Sequence, residues 1–425
     1  MTAVSGEDGS GEDESGVVGS GVVRSGVVGE QEGAAAGHGG VEPLRVAIDV
    51  SAVPDRPVGA GHYILQLAGQ LAARPGIDLV LFSRRADRAR WAPMVPSGHA
   101  VAAAPGPRPL RLAWEQLRLG SLVASSGAAV LHGPHYTMPR RSPVPSVVTV
   151  HDLSFFDAPE WHERTKVVLF SRAIRRAARD AAVVVCPSRV TAEALERWCT
   201  VTAEVVVAPH GVDADRFRPE EPDPGADAGL LTGIDARLTR DRPFLVFVGT
   251  IEPRKDVPTL VRAFAAVASR HPDALLVLAG GKGWGADEVE SALATSALGQ
   301  RVVQTGYVAD EAIPALLRSA TAAVYPSRYE GFGLPALEAL ACGTTLVTTR
   351  GTAMEEVAGA AALLIPPGDA DALADVLDDV LGGRGDDRAA SERRALGFAV
   401  VGRHTWRASA DLHIGAYRTA VHRGS

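Results

Sequence analysis

Short apolar runs alternate with stretches of helical apolar spacing from residue 44 almost to the end of the chain. That alternation is the pattern of doubly wound parallel sheets, whose strands are buried on both faces. The first run, Leu44 to Val53, reads as such a strand. A loop from Pro54 to Gly61 follows, then an apolar-periodic helix from His62 to Arg74. Further strands are expected at Asp78–Ser83, Ala128–His132, Ser146–Val150 and Ala182–Cys186. Helices are expected between them, for example at Leu112–Val123 and Glu163–Arg179. A second series opens at Pro243–Gly249. It continues at Leu275–Ala279, Val302–Thr305, Ala322–Tyr325, Thr345–Thr349 and Ala362–Pro366. Helices are then expected at 370–381 and from the tail to about His422, where Leu412, Ala416, Tyr417 and Ala420 form an apolar stripe suited to docking.

Residues 1–42 lack this periodicity. Ser-Gly-Val-Val recurs at 15–18, 20–23 and 25–28 among Gly, Ser and acids, the composition of a disordered segment. The segment carries eight acids against one base, Arg24, which accounts for the whole net charge of −7. The remainder is balanced and carries no electrostatic footprint for nucleic acid. A chain of 425 residues exceeds one ordinary core. The expected division is an acidic tail at 1–42, a first Rossmann-like unit at 43–218, a Pro/Asp/Gly-rich linker at 219–242, a second unit at 243–390 and a C-terminal helical segment at 391–425.

Cys186, Cys199 and Cys342 have neither metal nor disulfide spacing, and no apolar run reaches the roughly 18–20 residues of a membrane span. No secretory leader is evident at the N-terminus, so a cytoplasmic location is expected. Only three of 43 basic residues are lysines, Lys166, Lys255 and Lys282, which singles each of them out.

The most informative stretch is Pro326-Ser-Arg-Tyr-Glu-Gly-Phe-Gly-Leu-Pro-Ala-Leu-Glu-Ala-Leu-Ala-Cys-Gly343. It reads as a strand end, a tight loop and a helix. Gly331 and Gly333 let the backbone turn sharply and approach a ligand. Pro335 suits the first helical turn, and Gly343 the stop. A helix N-terminus attracts anions, so the turn of Gly331, Phe332, Gly333 and Leu334 is suited to a phosphate. Glu330 and Glu338 can accept hydrogen bonds from hydroxyls. A second loop, Gly249-Thr-Ile-Glu-Pro-Arg-Lys-Asp256, carries Arg254 and Lys255 ahead of a helix for which Asp256 is an N-cap candidate. These two cations can neutralise a diphosphate or form a surface charge pair. His151 and Asp152 fall at the carboxyl end of a strand, the edge where open α/β sheets bind ligands. His132, His135 and Tyr136 end the preceding strand. Gly59 and Gly61 lie in the first loop but do not form the three-glycine dinucleotide fingerprint. The Gly280–Gly285 loop also lacks a complete phosphate-loop pattern, which leaves Lys282 as a loop residue or a cradle residue. The basic helix 163–179 fits an ordinary solvated face or a membrane-facing one.

The 326–343 stretch resembles the signature of the retaining glycosyltransferases of family 4, which have the GT-B fold. Thr149-Val-His-Asp-Leu-Ser154, Ala208-Pro-His-Gly-Val-Asp213, the Lys255 loop, Gly306-Tyr-Val308 and Gly351–Val357 resemble further family elements in the same order. The resemblance covers about residues 44–422. It implies two Rossmann-like domains facing each other across a cleft, with acceptor bound by the first and nucleotide sugar by the second. The C-terminal helix would cross back to the first domain. His151 would then contact the donor sugar, and Lys255 and Arg254 the leaving diphosphate. Glu330 would hold sugar hydroxyls and Glu338 the ribose. Gly59, Gly61 and Gly249 would lie near the phosphates, and Tyr307 and Val308 near the base. His62 stands where many members carry arginine, and Thr250 where many carry arginine after the glycine. Glu356 would stabilise its loop.

The implied reaction is hexosyl transfer with retention, mannose favoured, from a GDP-mannose or UDP-glucose type donor to a glycan, lipid-linked or small-molecule acceptor. No metal or cofactor is expected. The resemblance further implies a cytoplasmic enzyme of cell-envelope polysaccharide synthesis, with peripheral contact at the inner membrane face. A nucleotide-sugar epimerase of the same fold, a non-catalytic partner subunit and an NAD-dependent oxidoreductase are the rival classes. The missing glycine fingerprint opposes the last of these.

Overall fold

A computed structural model describes residues 42–424 apart from 221, 222, 224, 240 and 384–386. The low-complexity residues 1–41 lie outside the described residues. Two sheets organise the rest, and every strand pairing within them is parallel. The first holds β1 (Leu44–Asp49), β2 (Ile77–Arg84), β3 (Ala100–Ala104), β4 (Val130–Gly133), β5 (Ser146–Thr149), β6 (Val183–Cys186) and β7 (Glu204–Val207), in the order β3-β2-β1-β4-β5-β6-β7. The second holds β8 (Phe244–Val248), β9 (Leu275–Ala279), β10 (Val302–Gly306), β11 (Ala322–Tyr325), β12 (Thr345–Thr349) and β13 (Ala362–Ile365), in the order β10-β9-β8-β11-β12-β13. Central strands such as Val183-Val-Val-Cys186 and Leu275-Leu-Val-Leu-Ala279 are buried along their whole length, as parallel strands under helices on both faces must be.

Each sheet reverses its winding once, between β1 and β4 in the first and between β8 and β11 in the second. Adjacent loops run to opposite faces at such a point and leave a crevice outside the carboxyl ends of the strands. The chain after β1 and β4, and the chain after β8 and β11, therefore lines the two places suited to a ligand.

Local chemistry moves several expected boundaries. β1 stops at Asp49, because the Asp49 carboxylate accepts from the Ser51 amide at 3.0 Å and turns the chain. The edge strands β3 and β7 were not expected. β3 is Ala-Val-Ala-Ala-Ala, a weak strand former extended by its pairing with β2. The helix expected at Leu112–Val123 belongs to a longer helical run, Arg108–Ser126, interrupted by a π-helical turn at Glu115–Leu119. The 219–242 stretch contains a helix, Ala226–Ile234, and buries Leu231 and Leu238 in the core of the second sheet.

The C-terminal segment is two helices rather than one, Asp387–Arg403 and Trp406–Gly424. The first packs on the helix Leu334–Ala341. At the break, the Val212 amide donates to the His404 carbonyl at 3.0 Å. The second helix buries Trp406, Ala410, Tyr417 and Ala420 in the core of the first sheet. Tyr417 Oη meets His132 Nδ1 at 2.9 Å, and His413 Nε2 meets Tyr63 Oη at 2.9 Å. Thr149 Oγ1 joins Tyr63 and His132, each at 2.8 Å. This buried polar network fixes the helix in register, because a slip of one residue would strand its members without partners.

Candidate active site

Lys255 and Glu330 come from the two strands that flank the winding reversal of the second sheet. After β8 the chain passes Gly249 and forms a short 3-10 turn, Pro253–Lys255. After β11 it forms the 326–333 loop and enters the helix Leu334–Ala341. Lys255 Nζ lies 3.9 Å from Glu330 Oε1, with the two residues only 8% and 9% exposed. Arg254 Nη1 pairs with Glu330 Oε2 at 2.6 Å, and its Nε with Glu252 Oε2 at 3.1 Å. Ser327 Oγ donates to Glu330 Oε1 at 3.2 Å. Burial lowers the Lys255 pKa from the ordinary lysine value; Glu330 opposes this and Arg254 adds to it. Burial also works against charge on Arg254, but Glu330, Glu252 and Asp152 outweigh it and hold the guanidinium protonated. The result is a compact cluster of two cations and two carboxylates.

Gly249 takes a backbone conformation that side chains rarely adopt (φ 148°), and a Cβ there would also come within 2.6 Å of Lys255 Nζ. The helix Leu334–Ala341 starts at Gly333 (φ 102°) with no side-chain cap and with Pro335 in its first turn, which leaves its N-terminal dipole open toward the loop. Asp256 occupies the N-cap position of the helix Val257–Val267 but does not cap it. Its carboxylate takes Arg328 Nε at 2.8 Å, and it is one of two non-glycine residues in the left-handed region among the described residues. The other is Tyr136 (φ 64°), whose hydroxyl donates to Asp152 at 3.1 Å. Both lie on loops leaving the carboxyl edges of the sheets, where backbone strain tends to collect at functional sites.

The 326–333 loop presses against the first sheet. The Gly331 carbonyl accepts from Ser188 Oγ at 2.7 Å and Thr191 Oγ1 at 3.0 Å. Tyr329 Oη accepts from the Leu153 amide at 3.2 Å. A Cβ on Gly331 would lie 1.8 Å from the His151 carbonyl oxygen. His151 is thus next to the loop. Its Nε2 donates to the Pro134 carbonyl at 2.8 Å, which leaves Nδ1 as an acceptor. Asp152 accepts from Ser154 through both amide and hydroxyl, at 3.1 and 2.7 Å, and so holds the turn after β5. Glu356 accepts from the Arg189 and Val190 amides at 2.9 and 3.0 Å and caps a helix of the opposite half. That bond accounts for a structural role of this acid.

Glu338 lies further along the helix, half-buried. Burial pushes its carboxyl up to about 7, against the opposing charges of Arg216 and Lys255. Arg216 donates to the Asp310 carbonyl at 2.5 Å, and His62 Nε2 lies 3.6 Å from Asp310 Oδ2. Arg56 covers the half-exposed Tyr307 ring at 5.1 Å, while Val308 is buried. The 54–61 loop with Gly59 and Gly61 therefore reaches across to the loop after β10.

The structure thus gathers Lys255, Arg254, Gly249, Glu330, Gly331, Gly333 and, through Gly331, His151. The Phe332 ring is committed to packing on His210, 4.8 Å between centroids, and Leu334 packs partly on both cores. Lys282 pairs with Glu290 at 2.7 Å on the surface. Arg216 and Asp310 escape sequence reading because nothing local marks them. Among the described residues no group of three or more His, Cys, Asp or Glu side chains could hold a metal ion.

The family model described as Glycosyltransferase Family 4 matches residues 57–216, and that described as Glycosyl transferases group 1 matches residues 235–396. The O-antigen chain mannosyltransferase B of Escherichia coli is 29% identical over 293 residues, which is 68% of this chain and 74% of that protein. A D-inositol 3-phosphate glycosyltransferase of Kineococcus radiotolerans is 30% identical over 422 residues, 85% of this chain and 91% of that one. Among solved structures, a sucrose-phosphate synthase from Thermosynechococcus elongatus superposes with a TM-score of 0.70 at 25% identity, over 88% of this chain and 98% of that one.

Proposed function

Given that this chain belongs to the glycosyltransferases of group 1 and family 4, enzymes of the GT-B fold, we propose that it moves a hexose from a nucleotide-diphosphate sugar to an acceptor hydroxyl with retention of configuration and without a metal. Mannose is the favoured sugar, and the acceptor is a glycan, a lipid-linked saccharide or a small molecule. The observation that carries this reading is the buried Lys255–Glu330 pair at the uncapped start of the helix Leu334–Ala341. A cation and a helix dipole suit a departing diphosphate, and a carboxylate beside them suits sugar hydroxyls.

In the proposed step the bond from the anomeric carbon to the diphosphate oxygen breaks, and its electron pair leaves on that oxygen. The acceptor oxygen bonds to the anomeric carbon from the same face, and its proton passes to the departing phosphate. Charge separation is the barrier. Lys255 and the helix N-terminus offset the negative charge, and Glu330 holds the ring as it flattens. Arg254 is engaged by Glu330 and Glu252, so its first effect is to orient Glu330. Glu338 would accept from the ribose, and Tyr307 with Val308 would meet the base. Losing one preorganised group of this kind typically costs about 2.7–4 kcal/mol.

The proposed setting is the cytoplasmic face of the membrane, in envelope polysaccharide synthesis. The helix Arg164–Asp180 supports it by exposing Arg164, Val168, Arg172 and Arg175. Among the described residues no helix is long and apolar enough to cross a membrane.

A melting-shift panel of nucleotide sugars identifies the donor, since a ligand at a hundred times its Kd stabilises by about 2.7 kcal/mol. With that donor, Lys255→Ala and Glu330→Ala are expected to lower transfer at least tenfold while both variants remain folded by circular dichroism. Unchanged rates in both would reject the site. Donor consumption without any acceptor product would point instead to an epimerase.

A further inference from the structure

The helix Arg189–Trp198 belongs to the half built on the first sheet, but its start is completed by the other half. The amides of Arg189, Val190 and Thr191 fall in its first turn, where no intrahelical acceptor exists. Ser188, the N-cap residue, accepts the Thr191 amide on its hydroxyl at 3.0 Å. The other two amides go to one side chain of the second half. Glu356 Oε1 accepts from Arg189 at 2.9 Å, and Oε2 from Val190 at 3.0 Å. The Arg189 guanidinium adds little, because it is exposed and its Nε stays 3.7 Å from the carboxylate.

The same helix end makes a second contact. Ser188 and Thr191 are buried, and their hydroxyls donate to the Gly331 carbonyl at 2.7 and 3.0 Å. It therefore grips two elements at once, the 326–333 loop through Gly331 and the short helix Ala353–Ala358 through Glu356. That short helix also touches the start of the helix Leu334–Ala341. Met354 is fully buried against Gly333, where an added Cβ would come within 2.6 Å of Met354 Cγ. Glu330 directly precedes Gly331, and the His151 carbonyl lies against Gly331 from the first half.

Such a contact is directional. A carboxylate on adjacent backbone amides forms charge-assisted bonds and meets the positive end of the helix dipole. Neither amide can move without its helix. The 54–61 loop meets the second half differently, through exposed or half-exposed side chains: Arg56 lies over Tyr307 at 5.1 Å, and His62 lies 3.6 Å from Asp310. Those side chains can change partners, whereas a helix end cannot.

We propose that Glu356 is a positioning residue for transfer. It fixes the angle at which the second half sits on the first, and with it the separation of the Glu330 cluster from His151. It touches neither donor nor acceptor, and acts through the backbone of the helix Arg189–Trp198 and through Gly331. The role in transfer rests on the glycosyltransferase reading above; the clasp between the halves does not.

The test uses the full chain carrying Glu356→Ala, Glu356→Gln or, as a control, Glu355→Gln. Glu355 lies on the same helix but accepts from the Gly351 amide of its own half, at 2.6 Å. Each variant is followed by its melting temperature, by hydrogen exchange of the 189–191 segment, by calorimetry with GDP and UDP, and by release of nucleoside diphosphate from GDP-mannose and UDP-glucose with water as the acceptor. In Glu356→Ala the 189 and 190 amides exchange about tenfold faster or more, as the loss of a hydrogen bond to a charged group implies. Affinity for GDP and UDP stays within about threefold, because the groups proposed to meet the nucleotide all lie on the second half. Release at saturating donor falls roughly tenfold or more with KM little changed, since a misplacement of about 1 Å can cost on the order of 100-fold. Glu356→Gln keeps one acceptor oxygen and recovers part of both losses. Glu355→Gln matches the wild type in exchange and turnover. Unchanged exchange in Glu356→Ala overturns the proposal, because the clasp would then be absent in solution. Faster exchange with unchanged turnover per folded molecule also overturns it and leaves Glu356 a structural residue. A parallel loss of nucleotide affinity and turnover overturns it too, since Glu356 would then shape the donor site itself. A wild-type chain that consumes neither sugar overturns the positioning role. If that chain also binds neither nucleotide, the glycosyltransferase reading fails with it, whereas faster exchange in Glu356→Ala would still establish the clasp.

Discussion

Individual residues in the cleft are buried at a cost to stability. Glu338 shows the sign clearly. Its folded pKa of about 7 lies above its ordinary value of 4.5, so between those values the folded chain holds a proton that the unfolded chain has released. Stability falls as pH rises through this window, and the penalty is complete above about pH 7. Glu338→Gln is therefore expected to raise the melting temperature at pH 8 and change it little at pH 4.5. The same change removes the anionic acceptor proposed for the ribose, so donor affinity should fall roughly tenfold or more, as for a hydrogen bond to a charged group. A lower melting temperature at pH 8 would show that Glu338 is ion-paired rather than desolvated. Residue type was legible here from Glu330-x7-Glu338 within Gly-Phe-Gly-Leu-Pro. Arg216 and Asp310 were not, because Asp310 lies 28 positions before Glu338 and only the fold closes that distance.

Elements carry the alignment of the two halves. The loop between β11 and its helix meets the turn after β5 at Gly331, where no side chain fits: an added Cβ would lie 1.8 Å from the His151 carbonyl. Gly331→Ala must displace backbone against backbone. We expect a loss of about 1–3 kcal/mol, typical of overpacking, and a melting temperature lower by several degrees. Transfer should fall with it, because the shift separates His151 from Glu330. Gly69 is the control: it lies within the helix Ala60–Ala72 with nothing within 4 Å of an added Cβ, so Gly69→Ala should be neutral or stabilising. Equal effects of the two substitutions would exclude a close approach at Gly331. Apolar runs marked the buried strands well, whereas β3 was hidden because its alanines favour helix in isolation and only the β2 edge extends them.

At the scale of the whole molecule, the last helix joins the first core through histidines kept neutral. Burial draws His413 down to about 4 from its ordinary 6.5, and holds His132 and His210 well below that value. Unfolding lets each take a proton near 6.5 that the fold refuses. Their contribution is intact above that pH and is lost as pH falls toward 4, by about 1.4 kcal/mol per pH unit for each histidine. Denaturant titrations should show a steep loss of stability between pH 6.5 and 4.5. Replacing His413 with Gln should flatten that slope. A slope unchanged by this substitution would mean that His413 titrates freely.

Most of the buried strands, the two-sheet class and the turn-into-helix form of the 326–343 stretch were determined by the sequence alone. Burial on both faces demands unbroken apolar strands, and a turn into a helix demands glycine and proline at set places. Other features depended on long-range packing: the break at His404, the helix within 219–242, the engagement of Arg254 by Glu330, and the capping of the helix Arg189–Trp198 by Glu356. Each joins residues tens or hundreds of positions apart, and their charges and burial exist only once both sheets have wound. Local pattern fixes what most segments are. The folded chain decides which charges end up side by side.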